Sequence, residues 1–196
     1  MSELKCPEVA LALVHYPCYN QHGETVCTNV TNFDIHDIAR SSRSFGVNRY
    51  YIVNRVMEQQ MFVHRVLDHW RVGEGSQHNP MRKTAIEMVA TAGIVEEAID
   101  DLAKRYGGVR PLIIGTSAQN RVEYPQISFN ALRERIWHDR SRPTLLLFGT
   151  GWGMTDQVLG QCDFMLDPIR GSSPDDHRHL SVRAAVAVAL DRLLGQ

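Results

Sequence analysis

Little in this chain ties it to a membrane, an oxidising compartment or a polyanion at large. Across its 196 residues, no apolar run approaches the ~20 residues that a transmembrane helix needs. The amino-terminal stretch "MSELKCPEV" lacks the charged-then-apolar layout of a secretory signal. Four cysteines, Cys6, Cys18, Cys27 and Cys162, form no C-x-x-C pair and no disulfide framework, which predicts a reducing, cytoplasmic setting. The formal net charge is only -1, which argues against a protein that coats nucleic acid but leaves room for a basic patch. No repeat, low-complexity tract or linker interrupts the sequence, so residues 1–196 read as one domain.

What is present is arginine, apolar strands and late glycines. Arg40, Arg43, Arg49 and Arg55 are close together in the sequence, and Arg65, Arg71, Arg82 and Lys83 follow. Apolar runs at 8–16, 49–55, 110–118, 144–149 and 163–169 read as strands of the kind buried in a parallel sheet. Between them, helices are expected over 34–46, with Asp34 as cap and Gly46 as stop, and over 58–70. A long helix over 83–106 should follow, closed by Gly107 and Gly108, then helices at 129–139, 155–162 and 180–195. Strand and helix alternate, which predicts an α/β fold: a mostly parallel sheet with helices on both faces. The polar segment from Pro17 to about Phe33 is long for a plain connection, and such loops are more often functional than idle.

The stretch "TLLLFGTGWGM" (Thr144–Met154) ends a strand in a loop with glycines at 149, 151 and 153. Such loops bring backbone N–H groups close to a ligand, although many are only tight turns. A dinucleotide site would want G-x-G-x-x-G and far more chain after it, even with Asp167 near the distance expected of a ribose-binding acid. Two more strand-then-loop stretches flank it, "IIGTSAQ" before and "LDPIRGSS" after. In a parallel sheet these three loops open on one carboxyl edge and form a pocket of backbone donors and acceptors. The competing reading is three ordinary surface loops.

The segment "TNFDIHDIARSSRSFGV" (Thr31–Val47), the strand "LLLFGTGWGM" and the tail "LDPIRG…HLSVRAAVAVALDRL" together resemble the three motifs of the SPOUT superfamily. Those proteins are S-adenosylmethionine-dependent RNA methyltransferases with a knotted α/β fold. "IIGTSAQNR" (Ile113–Arg121) is similar to the third-strand motif of members that modify tRNA. The resemblance runs over nearly the whole chain and points to a small stand-alone branch. It implies a carboxyl-terminal trefoil knot that holds S-adenosylmethionine, which would explain why the ligand loop comes so late. It also implies that the backbone around Gly149, Gly151, Ile169, Gly171 and Leu180 cradles the cofactor, with Thr150 in the same loop and Thr116 and Ser117 at the rim. Arg40 matches the first-motif arginine near the methyl-transfer centre. Members of the superfamily typically complete each active site across a homodimer. Two departures stand out: Thr31 or Asp34 where the first motif commonly has Asn, and Thr150 where the second often has Glu.

The implied activity is methyl transfer to a ribose 2′-O or a base atom of tRNA or rRNA. Thr150 and the altered first motif keep open a domain that binds cofactor or RNA without catalysis, and near-neutral charge a methyltransferase with another substrate. Asp175, Asp176, His177 and His179 gather in one loop but lack zinc-site spacing, so no metal is expected. Asp175 or Asp176 as a proton acceptor competes with a solvated turn. Trp152 stacks on a nucleobase or meets a second subunit. His15, His22 and His36 read as structural or exposed.

Overall fold

The first strand explains why the molecule has two cores. In β1 (Val9–Val14) every residue is buried. Val9, Leu11 and Leu13 face one side, Ala10, Ala12 and Val14 the other, as the two-residue period of a strand requires. The computed structural model describes residues 6–196, so residues 1–5 of the amino-terminal stretch lie outside the described residues. After β1 come a hairpin of β2 (Cys18–Tyr19) and β3 (Thr25–Val26), then α1 (Asn32–Ser44), β4 (Arg49–Val53), α2 (Met57–Arg71), α3 (Gly75–His78), α4 (Pro80–Glu87), β5 (Val89–Ala92) and α5 (Val95–Arg105). The second half holds β6 (Leu112–Gly115), β7 (Gln126–Ile127), α6 (Phe129–His138), β8 (Thr144–Gly149), α7 (Asp156–Leu159), β9 (Phe164–Leu166) and α8 (Val182–Leu194).

Seven strands make one sheet in the order β5-β4-β1-β8-β6-β9-β7, and each pairing in it is parallel. Buried residues of α1, α2, α4, α6 and α8 pack on one face, and those of α5 and α7 on the other. The α/β fold with helices on both faces is therefore as expected. Among the described residues, no helix is long and apolar enough to cross a membrane.

Two expectations fail locally. The long helix over 83–106 is three elements, α4, β5 and α5. "VATA" has helix-friendly alanines, but β4 offers an open edge, and β5 takes it from Tyr50↔Val89 to Val53↔Ala92. Asn54 N–H extends the pairing by donating to Ala92 O at 2.9 Å. Tertiary pairing outweighs the few tenths of a kcal/mol per residue that propensity supplies. The first helix also begins earlier: Thr31, not Asp34, is its cap. Thr31 Oγ1 accepts from Asp34 N–H at 3.2 Å, and the Asp34 carboxylate accepts from Thr31 N–H at 3.2 Å. This reciprocal pair satisfies two donors at the helix start.

The strand order decides where the late loops go. β8 lies between β1 and β6, and β9 lies between β6 and β7. The loops that follow β8 and β9 therefore emerge beside the loop after β6, all at carboxyl ends of strands. The tail after β9 leads into α8, which packs against α1 and α6.

Candidate active site

The three loops and the first turns of α8 enclose a cavity of about 560 Å³. Thr116 and Ser117 come from the loop after β6; Gly149, Thr150, Gly151 and Trp152 come from the loop after β8. Ile169 and Leu180 come from the tail, and Val182, Ala185 and Ala189 from α8. Phe148 and Leu166 supply apolar wall, while Asp167 is the one carboxylate among the described lining residues. Small residues on α8 let the helix approach closely, so the chain that closes the cavity is the chain that ends the fold. Gly171, expected here too, is not part of the lining.

The polar segment 17–33 has a mechanical role that its length alone did not specify. Its β2 strand clamps the glycine loop: Tyr19 N–H donates to Gly153 O at 2.9 Å, and Trp152 N–H donates to Tyr19 O at 3.0 Å. Gly151 stands at φ +59, a conformation that favours glycine, and a Cβ there would meet Tyr19 O at 3.1 Å. At Gly149 an added Cβ would lie 2.9 Å from Met154 Cγ and 3.0 Å from Met154 N. The loop is thus folded tightly back on itself and fixed from outside.

A chain of side-chain hydrogen bonds runs beneath this loop. Thr150 Oγ1 donates to Val14 O at 3.0 Å and lies 2.6 Å from Thr28 Oγ1, which lies 2.8 Å from His15 Nδ1. With Thr150 donating to the carbonyl, Thr28 donates to Thr150 and the neutral imidazole donates from Nδ1, each hydroxyl using its single proton once. Burial holds the His15 imidazole down at about 4, against a smaller upward pull from Asp34. Its Nε2, left as an acceptor, is buried without a partner among the described residues. Cys18 donates to Val14 O at 3.1 Å, and burial pushes its thiol up, which suits a structural donor and not a nucleophile. Thr28, Cys18 and Asn54, whose amide donates to Thr28 O at 3.0 Å, carry no local sequence signal. They meet only when β1, β4 and β8 lie side by side.

Other expected residues fall elsewhere. Arg40 is exposed on α1, outside the cavity lining. Trp152 is 69% exposed at the rim. His22 sits in the hairpin turn, and the His36 ring meets Trp70 edge-on at 5.5 Å. Asp175 and Asp176 lie in an exposed loop, where Asp176 pairs with Arg178. A hydrogen bond from Ser173 holds the Asp175 carboxyl below its usual range, which weakens it as a base. Among the described residues no three His, Cys, Asp or Glu side chains gather as a metal-holding group. The arginine cluster also disperses: Arg71 donates to Val89 O at 2.6 Å, Arg82 lies over Trp70, and Arg49 faces Asp101.

Comparison with known proteins shows which family the chain belongs to. A family model described as SAM-dependent RNA methyltransferase matches residues 8–195. The chain belongs to that family. The chain is 39% identical over 189 residues to an uncharacterised protein of Aquifex aeolicus, covering 96% of this chain and 89% of that one. It is 44% identical over 184 residues to a tRNA (guanine-N(1)-)-methyltransferase of Oleidesulfovibrio alaskensis, covering 94% of this chain but only 41% of that longer protein. Its fold resembles that of the SpoU methyltransferase AviRb of Streptomyces viridochromogenes, solved with AdoMet, with a TM-score of 0.57 and 15% identity over 97% of this chain and 58% of that one. The fold is that of the SPOUT methyltransferases, and the family's cofactor is S-adenosylmethionine.

The residues present suit that cofactor. The volume lies within the ~300–1,000 Å³ of small-molecule sites, and the lining joins apolar wall to a few polar groups. Phe148, Leu166 and Val182 offer surface for an adenine, and Asp167 and Ser117 offer partners for hydroxyl or ammonium groups.

Proposed function

We propose that the methyltransferase holds S-adenosylmethionine in the cavity between the β6, β8 and β9 loops and modifies a structured RNA, tRNA or rRNA. The observation that supports this best is the convergence of three separate loops and α8 on one space, with Thr116, Ser117, Gly149, Thr150, Gly151, Ile169 and Leu180 all in its lining. In this reading the backbone around Gly149, Gly151, Ile169 and Leu180 grips the cofactor, and the tail takes the trefoil path. Gly171 shapes that path from outside. The name of the longer Oleidesulfovibrio relative favours tRNA as the first substrate to test.

When bound, S-adenosylmethionine supplies a methyl group on a positively charged sulfur. The protein's own residues do the rest. The clamped glycine loop presents fixed N–H and C=O groups, which cost no reorganisation when charge shifts. Phe148, Leu166 and Val182 keep water off the site, and the His15–Thr28–Thr150 chain holds the loop's first turn in place. Arg40 is the charge that meets the RNA near the transfer centre, through a bidentate phosphate contact or by stabilising an attacking oxygen.

Arg40 stands outside its own chain's cavity, so this role calls for a homodimer in which α1 of one protomer faces the cavity of its partner. Phe33, 66% exposed at the start of α1, and Leu180, 47% exposed at the cavity mouth, provide apolar surface for that contact. Four unpaired cysteines accord with a cytoplasmic enzyme.

Calorimetry with S-adenosylmethionine and its demethylated product tests the cavity; no heat from either would remove the reading. Mass mapping of tRNA and rRNA from cells with and without the protein then identifies the modified nucleotide. Identical maps would sink the RNA assignment.

A further inference from the structure

Beside the cofactor cavity lies a second groove of about 550 Å³, and Asp167 and Phe129 line both. Two guanidiniums point to its use. Arg170 enters from the tail just after β9, and Arg192 from the last turn of α8. Among the described residues Arg170 makes one hydrogen bond, to Asn120 Oδ1 at 3.3 Å. Arg192 lies over the Phe129 ring, 4.9 Å from its centroid. Neither forms an ion pair among the described residues.

Several other arginines of this molecule are committed to carboxylates. Arg183 is spent on Asp34, Arg121 on Glu123 and Asp156, Arg178 on Asp176, and Arg110 on Asp163. Two arginines that share one groove and keep most of their donors free present a fork geometry suited to phosphate oxygens. The rest of the lining is neutral apart from the Asp167 carboxylate that it shares with the cavity: Asn120, Gln126, Ser128 and Asn130 are polar, and Val122, Phe129 and Pro168 are apolar. The amide of Asn130 makes no hydrogen bond among the described residues. The amide nitrogen of Gln126 is taken by Arg121 O at 2.7 Å and Tyr124 O at 2.8 Å, which leaves its oxygen as an acceptor.

We propose that this groove binds the RNA backbone beside the nucleotide that receives the methyl group, with Arg170 and Arg192 on its phosphates. The proposal rests on the reading of the first cavity as the S-adenosylmethionine site, since the shared wall of Asp167 and Phe129 is what places the RNA next to the reaction. Asn130 and the Gln126 oxygen then face sugar or base edges, which gives the groove a part in choosing the RNA.

Fluorescence anisotropy with dye-labelled total tRNA tests this on the full chain, over a range of salt concentrations. The double variant Arg170→Gln/Arg192→Gln should bind at least about tenfold more weakly at low salt, and its dependence of log K on log salt should be shallower by about one to two. Lys104→Gln, on α5 across the sheet, should leave both unchanged. Calorimetry with S-adenosylmethionine should give the double variant the affinity of the unmodified protein, which separates a lost RNA contact from a lost fold. Unchanged affinity and salt slope in the double variant would overturn the proposal, and so would an equal loss in Lys104→Gln. A failure of the cavity reading shows itself differently, as absence of S-adenosylmethionine binding by the unmodified protein before any RNA is added.

Discussion

Thr28 Oγ1 and Thr150 Oγ1 stand 2.6 Å apart although 122 residues separate them in the chain. The contact joins the polar segment after β1 to the glycine loop after β8, and His15 extends it into the core. Replacing Thr150 by Val keeps the shape and removes the hydroxyl, which takes the acceptor from the Thr28 proton and leaves the Val14 carbonyl with Cys18 as its side-chain donor. A loss of roughly 1–3 kcal/mol is expected in urea denaturation. Thr28→Val should cost a similar amount, and the double variant less than the sum, because the two hydroxyls share one bond. Strict additivity would mean that the hydroxyls act independently.

Gly149 faces Met154 so closely that any side chain must move backbone. Gly149→Ala should therefore stay folded, since the shift is confined to the loop, yet bind S-adenosylmethionine about tenfold or more weakly by calorimetry. Native affinity in this variant would show that the loop tolerates a Cβ and that its glycine is a matter of turn geometry.

Acid should weaken the fold through His15. Burial holds its imidazole at about 4, below the ordinary 6.5, so the unfolded chain binds more protons than the folded one between those values. Stability thus rises with pH through this window: the contribution is full above 6.5 and is lost as pH falls towards 4. Its ceiling is about 3 kcal/mol, at ~1.4 kcal/mol per unit. His36, lowered chiefly by burial, acts in the same direction. Melting temperatures at pH 7.5 and 5 should differ more for the unmodified protein than for His15→Gln. Equal differences would exclude His15 as the cause.

Arg40→Ala should impair methyl transfer far more than cofactor binding, and equal losses in both would reassign it to structure. The dimer adds a sharper test. In co-expressed Arg40→Ala and Gly149→Ala chains, assayed at S-adenosylmethionine too dilute to fill the Gly149→Ala cavity, the mixed dimer pairs an intact cavity with an intact Arg40 from the other subunit. Random pairing of equal chains predicts recovery of about a quarter of the normal activity. No recovery would count against a site shared between subunits.

Local pattern made the main elements legible. The apolar runs "VALALV" and "TLLLFG" marked β1 and β8, and the three glycine- and serine-bearing loops were visible as candidates for one edge. The same local pattern misread Val89–Ala92 as helix, because alanine favours a helix in isolation and the open edge of β4 lies some forty residues upstream. It also gave Arg71 and Arg82 to a basic patch, whereas they are taken by carbonyls and by Trp70.

Periodicity and capping are short-range effects, set by neighbours three or four residues away, and so the chain alone determined its alternation of strands and helices and the late position of its glycine loops. Which strand lies beside which depends on contacts between distant parts of the chain, such as Val9 with Thr144 and Ile114 with Phe164. Only the tertiary structure inserted β8 beside β1 and β9 beside β6, which turned Thr28, Thr150 and the groove of Arg170 and Arg192 from scattered letters into neighbours.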